Sequence, residues 1–253
     1  MKKSSIYLLC TMLLLSGLFS TDILSVHGGP SVELKVTRVV WGTNLNSPVK
    51  AYPGDTAASL TVEVQNYSAN ETIKGITATL MLEGRPFKDV YGNSNSSATG
   101  SPEIGQVLNP PDYVLPKGFF TLTFSLDIDP NASPMAYSCN MTVNYSVNSS
   151  RIYVEGEPQT TTISLIVSKS PSTITCTVSS TSIERGESVD ISGSIDTAPK
   201  NVTITLIFTK PDASTFNRTV RTRSDGSYRD SYQPAFEGVW SVNASWIGDE
   251  RYN

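Results

Sequence analysis

The sequence predicts an all-β protein, two tandem β-sandwiches behind an N-terminal signal peptide, and three observations predict it. Apolar residues recur at every second position in run after run, which puts them on one face of extended strands. The runs are separated by clusters of Gly, Pro, Asn, Asp and Ser, the residues that make turns. No stretch after the signal shows the 3.6-residue apolar period of a helix. The clearest stretch is 119–147. Phe120, Leu122, Phe124, Leu126 and Ile128 alternate with polar residues, and after a turn over 130–137 Cys139, Met141, Val143, Tyr145 and Val147 do the same. These two runs read as one organising hairpin. Its opposite face carries Asn140, Asn144 and Asn148, each beginning an Asn-x-Ser/Thr acceptor for N-glycans.

The leader comes first in the chain. Lys2 and Lys3 precede an apolar run over 6–19, shorter than the roughly 20 residues of a membrane-spanning helix, so residues 1–28 read as a secretory signal peptide. An uncleaved signal anchor is the alternative. Cleavage after Gly28 takes the 19 basic residues to 17 and the 23 acidic ones to 22. It also removes His27, the single histidine, and with it the commonest general base and metal ligand. The net charge of -4 on the whole chain, with no basic cluster, argues against nucleic acid as a partner.

Next in order, Val32, Leu34 and Val36 lead into Val39-Val40-Trp41 as a first strand, and 44–55 is loop. Leu60, Val62 and Val64 mark a second strand, and Ile76, Ala78, Leu80 and Leu82 a third. Residues 83–116, rich in Gly, Ser, Asn and Pro, read as a long, mobile, sugar-shielded loop. The organising hairpin follows, and Ile163, Leu165 and Val167 close a first domain over 31–168. Ser168-Lys169-Ser170-Pro171-Ser172 is a linker. A second domain over 173–253 has shorter runs around Cys176, Ile191, Ile204, Phe216, Tyr228 and Val242, with Asp225-Gly226 as a tight hairpin turn. Cys139 and Cys176 share the apolar side of their strands. Two buried free thiols is one reading, and an interdomain disulfide the other.

Two resemblances attach to particular residues. Val39-Val40-Trp41-Gly42, Ala51-Tyr52-Pro53-Gly54-Asp55, the run 60–66 and the Asp129-Pro130-Asn131-Ala132-Ser133-Pro134 turn resemble the Ig-like sandwich repeats of archaeal surface-layer proteins and accessory modules beside some secreted glycosidases. Met135 stands where that turn usually has glycine. Ser224-Asp225-Gly226-Ser227-Tyr228, Gly238-Val239-Trp240 and Gly248-Asp249-Glu250-Arg251-Tyr252 are similar to prokaryotic cell-surface Ig-like repeats. Such repeats continue past the last corner into one more strand, whereas this sequence stops at Asn253. That implies either a piece of a longer, membrane-anchored surface protein or a strand supplied by another chain.

The resemblances imply an extracellular, non-enzymatic structural or interaction protein of the archaeal cell envelope, associated with the surface layer. Other envelope proteins or glycans would be its partners, with homotypic assembly as a further option and no cofactor. A carbohydrate-binding accessory module of a secreted hydrolase and a donor-strand filament subunit are the alternatives.

The glycan acceptors are Asn66, Asn70, Asn95, Asn131, Asn140, Asn144, Asn148, Asn201, Asn217 and Asn243, Asn131 being the weakest because Pro134 follows its Ser133. Asp127-x-Asp129-x-Asn131 opens like a calcium loop, but Ala132 and Ser138 occupy the positions that need Gly and Glu. A surface calcium site shared with Asp55 or Asp112 is the sharper reading. No catalytic residue is indicated: the mature chain lacks a histidine for a triad, and the carboxylates fall in turns and on outward strand positions. Trp41, Trp240 and Trp246 could stack sugars, but Trp240 and Trp246 share parity with Val242 and Ala244, which places them with the core.

Overall fold

The computed structural model describes residues 32–102, 113–149, 151–196 and 201–253. The expected signal peptide over 1–28 and Asp112 lie outside the described residues. Within them the protein is all-β, with no helix, and is built from antiparallel sheets.

Ten strands surround the first core: β1 (Leu34–Trp41), β2 (Ala58–Asn66), β3 (Ile73–Met81), β4 (Phe87–Asp89), β5 (Asn95–Thr99), β6 (Ser101–Pro102), β7 (Phe119–Ile128), β8 (Ala136–Ser149), β9 (Ile152–Glu155) and β10 (Gln159–Ile166). One sheet runs β1-β2-β7-β4 with β6 also on β7, and the facing sheet runs β10-β8-β3-β5 with β9 also on β8. The two-residue alternation places Leu60, Val62, Val64, Phe120, Leu122, Phe124 and Leu126 from the one against Ile76, Ala78, Leu80, Met141, Val143 and Leu165 from the other, all buried. Complete removal of so much apolar surface from water is the main stabilising term.

Two expectations change here. β7 and β8 are not a hairpin: β7 pairs with β2 and β8 with β3 and β10, so the 129–135 turn carries the chain across the sandwich. Both runs bury one face, and a pair that belongs to opposite sheets satisfies that pattern as well as adjacent strands do. The 83–116 segment is also not one loop where it is described. Phe87 inserts into the core 6.1 Å from Trp41 and 5.4 Å from Tyr137, and β4, β5 and β6 extend both sheets. Residues 103–112 of that expected loop lie outside the described residues.

The later strands are β11 (Thr173–Ile174), β12 (Thr177–Val178), β13 (Val189–Asp196), β14 (Thr203–Thr209), β15 (Thr215–Arg221), β16 (Ser227–Tyr232) and β17 (Ser241–Ser245). β11, β12 and β16 pair with β13, while β15 and β17 flank β14. Ile191, Ile195, Ile204, Leu206, Phe208 and Tyr228 form a separate, smaller buried cluster. Asp225-Gly226 makes a turn, with Gly226 at φ 84° and the Asp225 carboxylate accepting from Ser227. Yet it is no tight hairpin, because β15 and β16 again belong to different sheets.

The Gly-Asp-x-x-Tyr corner returns the chain to the linker. Gly248 adopts φ 84°, the Asp249 carboxylate accepts from the amides of Arg251 and Tyr252, and Ser170 bridges to Tyr252 in parallel. Ser172 and Ser170 donate backbone N–H groups to Asn253 and Arg251. The Arg251 guanidinium donates to the carbonyl of Pro130 on the first sandwich.

Candidate interaction surfaces

The acceptor asparagines fall into rows because strand register is fixed by the buried face. On β8, Asn140 and Asn144 are exposed and Asn148 is half-buried; their four-residue spacing keeps them on one face, about 13 Å apart. Asn140 of β8 and Asn95 of β5 both stand opposite Met81 of β3, which is itself 46% exposed. The row therefore crosses the outside of the β10-β8-β3-β5 sheet, with the two asparagines about 10 Å apart. Thr162 donates to Asn140 Oδ1 at 2.9 Å, which orients the amide. In the later strands Asn217 and Asn243 are both exposed and both stand opposite Ile207 of β14. Asn70, Asn131 and Asn201 are exposed outside the strands.

Asn66 is the exception and leaves the acceptor set of the folded protein. It is completely buried; its Nδ2 donates to the carbonyls of Glu71, Val114 and Leu115, and its Oδ1 accepts from Ser68. The nitrogen that would carry a sugar is thus spent on closing a loop, with no space for a bulky graft. A sequence pattern cannot distinguish this buried amide from an exposed one.

The outside of the β1-β2-β7-β4 sheet differs. Ser59, Thr61, Glu63 and Gln65 of β2 lie opposite Ser125, Thr123, Thr121 and Phe119 of β7, and none of these positions is an acceptor. Glu63 is buried although it lies on this outer face, because Arg38 Nε donates to its carboxylate at 3.1 Å and Thr37 covers it. The first sandwich thus has one outer face bearing the acceptor row and one without acceptors, on which Thr123 is exposed, Ser59, Thr121 and Ser125 are half-buried, and Thr61 and Glu63 are buried.

The carboxylates named from the sequence are used locally. Asp55 accepts from the Tyr52 amide, Asp127 from Ala57 and Asp129 from Asn131. Among the described residues no group of three His, Cys, Asp or Glu converges to hold a metal ion. Both described cysteines are free, which overturns the interdomain disulfide. Cys139 is buried in the first core; Cys176 is only half-buried, short of the full burial expected. Trp41 is 7% exposed with its indole N–H donating to the Ile166 carbonyl, so it offers no sugar platform. Trp240 and Trp246 are half-buried, and Trp240 packs 5.6 Å from Tyr232 and 6.4 Å from Phe216.

Sequence reasoning missed a cleft of about 760 Å³ along β12 and β17. Ile191, Phe208 and Tyr232 floor it, Val242 flanks it, and the loops at 180–185 and 234–240 form its lips. Period-two patterns identify the inward face of each strand but not whether another strand covers the gap beside it.

No model of a known protein family matches the chain, and no curated protein matches it. Solved structures align loosely over most of it. They include a red sea bream transglutaminase (TM-score 0.32, 14% identity, 84% of this chain and 29% of that one). A tetra-tandem repeat from the extending region of a large adhesion protein aligns with TM-score 0.28 and 18% identity over 85% of this chain and 48% of its own. Dimeric latent PorU from Porphyromonas gingivalis gives 0.26 and 11% over 87% and 20%. The chain thus spans less than half the length of each of these structures, and at such scores they carry no functional argument. Among the described residues no helix is long and apolar enough to cross a membrane.

Proposed function

We propose that the protein is a secreted, glycosylated, non-enzymatic structural or interaction component of an archaeal-type cell envelope, associated with the surface layer. The observation that carries this reading is the one-sided placement of the acceptors. Asn95, Asn140 and Asn144 share the outer face of one sheet, and Asn217 and Asn243 flank Ile207 on another, whereas the β2 and β7 positions of the opposite face have none. Glycans on such rows would shield one side with hydrated sugar and leave the acceptor-free side of β2 and β7, where Thr123 is exposed and Ser59, Thr121 and Ser125 are half-buried, for contact with envelope neighbours. Residues gathered for catalysis are not part of this reading; rigidity comes from the two-sheet core.

Glycopeptide mass spectrometry of the protein exported by a glycosylating archaeal host tests it. The expected result is modification at several of Asn95, Asn140, Asn144, Asn217 and Asn243 and none at Asn66. Export with every one of these asparagines unmodified would sink the reading.

A further inference from the structure

The sheet that carries the acceptor row leaves its asparagine side chains open and holds their backbone closed. Asn140 is exposed, and its acceptor pattern continues through Met141 to Thr142. All three residues are paired on both sides, with Met81, Leu80 and Thr79 of β3 and with Thr162, Thr161 and Thr160 of β10. Met141, the middle residue, is completely buried. Thr162 donates to Asn140 Oδ1 at 2.9 Å, and the Thr142 and Thr160 hydroxyl oxygens lie 2.8 Å apart. Asn144 is held in a similar way. It stands opposite Thr77 of β3, the Tyr145 that follows is buried, and the Tyr145 carbonyl accepts the Gly156 N–H at 2.9 Å.

Transfer of a glycan makes demands that this arrangement does not meet. The asparagine Nδ2 forms a bond to the anomeric carbon of a lipid-phosphate-linked glycan while the anomeric C–O bond breaks. The lipid phosphate leaves with the electron pair, and a proton passes from Nδ2 to a base of the transferase. An amide nitrogen is a poor nucleophile because its lone pair is delocalised into the carbonyl, so the amide must be free to twist. A donor on Oδ1, as Thr162 is to Asn140, reinforces that delocalisation. The enzyme also reads the hydroxyl two residues on, so it grips three consecutive residues. Lifting 140–142 off both neighbours breaks two ladders and draws Met141 out of the core. Such an opening amounts to unfolding the sandwich, and it is populated in on the order of 10⁻³ of molecules or fewer.

We propose that Asn140 and Asn144 receive their glycans before the first sandwich closes, so that transfer precedes folding on β8. The inference rests on the reading of these asparagines as used acceptors. A sugar already attached to Asn140 projects from the outer face and leaves the backbone pairing intact. Side-chain exposure therefore sets whether the folded chain tolerates a glycan, and strand pairing sets whether it can acquire one. Asn66 fixes the comparison, because burial closes it to transfer in the folded chain.

Transfer to the full chain, produced without glycans, tests it. Membranes of a glycosylating archaeal host supply the transferase and its lipid-linked glycan, and glycopeptide mass spectrometry reads the occupancy of each site. The folded protein is compared with the double variant Leu122→Asp, Phe124→Asp, which puts two charges in the first core and is verified as open by loss of that domain's cooperative melt. The expected result is transfer to Asn140, Asn144 and Asn66 in the open variant. In the folded protein each should fall to a tenth of that occupancy or less, so that exposed Asn140 follows buried Asn66. Equal occupancy of Asn140 in the folded and open chains, with Asn66 modified only in the open one, overturns the proposal. Exposure would then be sufficient for transfer, and the envelope reading would stand. Asn140 and Asn144 left unmodified even in the open variant also overturn it; that outcome removes both from the acceptor set, while Asn95, Asn217 and Asn243 of the exported protein still test the envelope reading separately.

Discussion

At the scale of single residues, burial decides chemistry that residue type leaves open. Asn66 and Asn140 begin identical acceptor patterns, yet one spends its amide on three buried carbonyls and the other stands exposed beside Met81. Burial also sets the response to alkali. It pushes the Cys139 thiol above its ordinary 9.0, outweighing the nearby Arg85, and pushes the Tyr228 hydroxyl above 10.0, with the hydrogen-bonded thiol of Cys176 adding to the shift. Above about pH 9 the unfolded chain therefore loses protons that the folded chain keeps. Stability contributed by these groups is fully present below their unfolded values and is lost as the pH rises toward the folded ones. Urea midpoints should be flat between about pH 6 and 8 and fall progressively above about pH 9. Tyr228→Phe should flatten the alkaline fall; an unchanged slope would show that Tyr228 does not contribute.

At the scale of elements, the strands follow from sequence periodicity and their neighbours do not. Phe120 through Ile128 and Cys139 through Val147 bury the alternating residues read from the sequence. Their assignment to opposite sheets depends on which partners β2, β3 and β10 offer, information spread over more than a hundred residues. The same holds for Asp225-Gly226, where turn chemistry is local and strand partners are not. Phe87 shows the converse. In a Gly/Ser/Asn-rich segment one aromatic side chain anchors β4 between Trp41 and Tyr137. Phe87→Ala should cost about 3–5 kcal/mol in denaturant unfolding, as expected for a cavity on this scale. A loss well under 1 kcal/mol would mean that β4 is held by its backbone pairing to β7 alone.

At the scale of the whole molecule, the 248–253 corner ties the two sets of sheets together. A Cβ on Gly248 would come within 2.6 Å of the Tyr252 carbonyl oxygen at a φ of 84° that L side chains rarely adopt. Gly248→Ala should therefore release the corner from Ser170 and Ser172 and expose the linker. Limited proteolysis is expected to cut Gly248→Ala within 168–172 several-fold faster than the parent, with the first core still intact. Equal cleavage rates would place the restraint elsewhere, on the Arg251 contact to Pro130.

The sequence by itself determined that the chain is all-β and which residues face inward, because a period of two needs only the pleat and the hydrophobic effect. The Asp225-Gly226 turn was legible because a positive φ is settled within a few residues, whereas the Gly-Asp corner entered only through the resemblance to cell-surface repeats. The tertiary structure alone decided that β7 and β8 belong to different sheets, that Asn66 is sealed inside, and that a cleft lies along β12 and β17. Each of these depends on what packs against a segment, and packing brings together residues too distant in the chain for any local pattern to record.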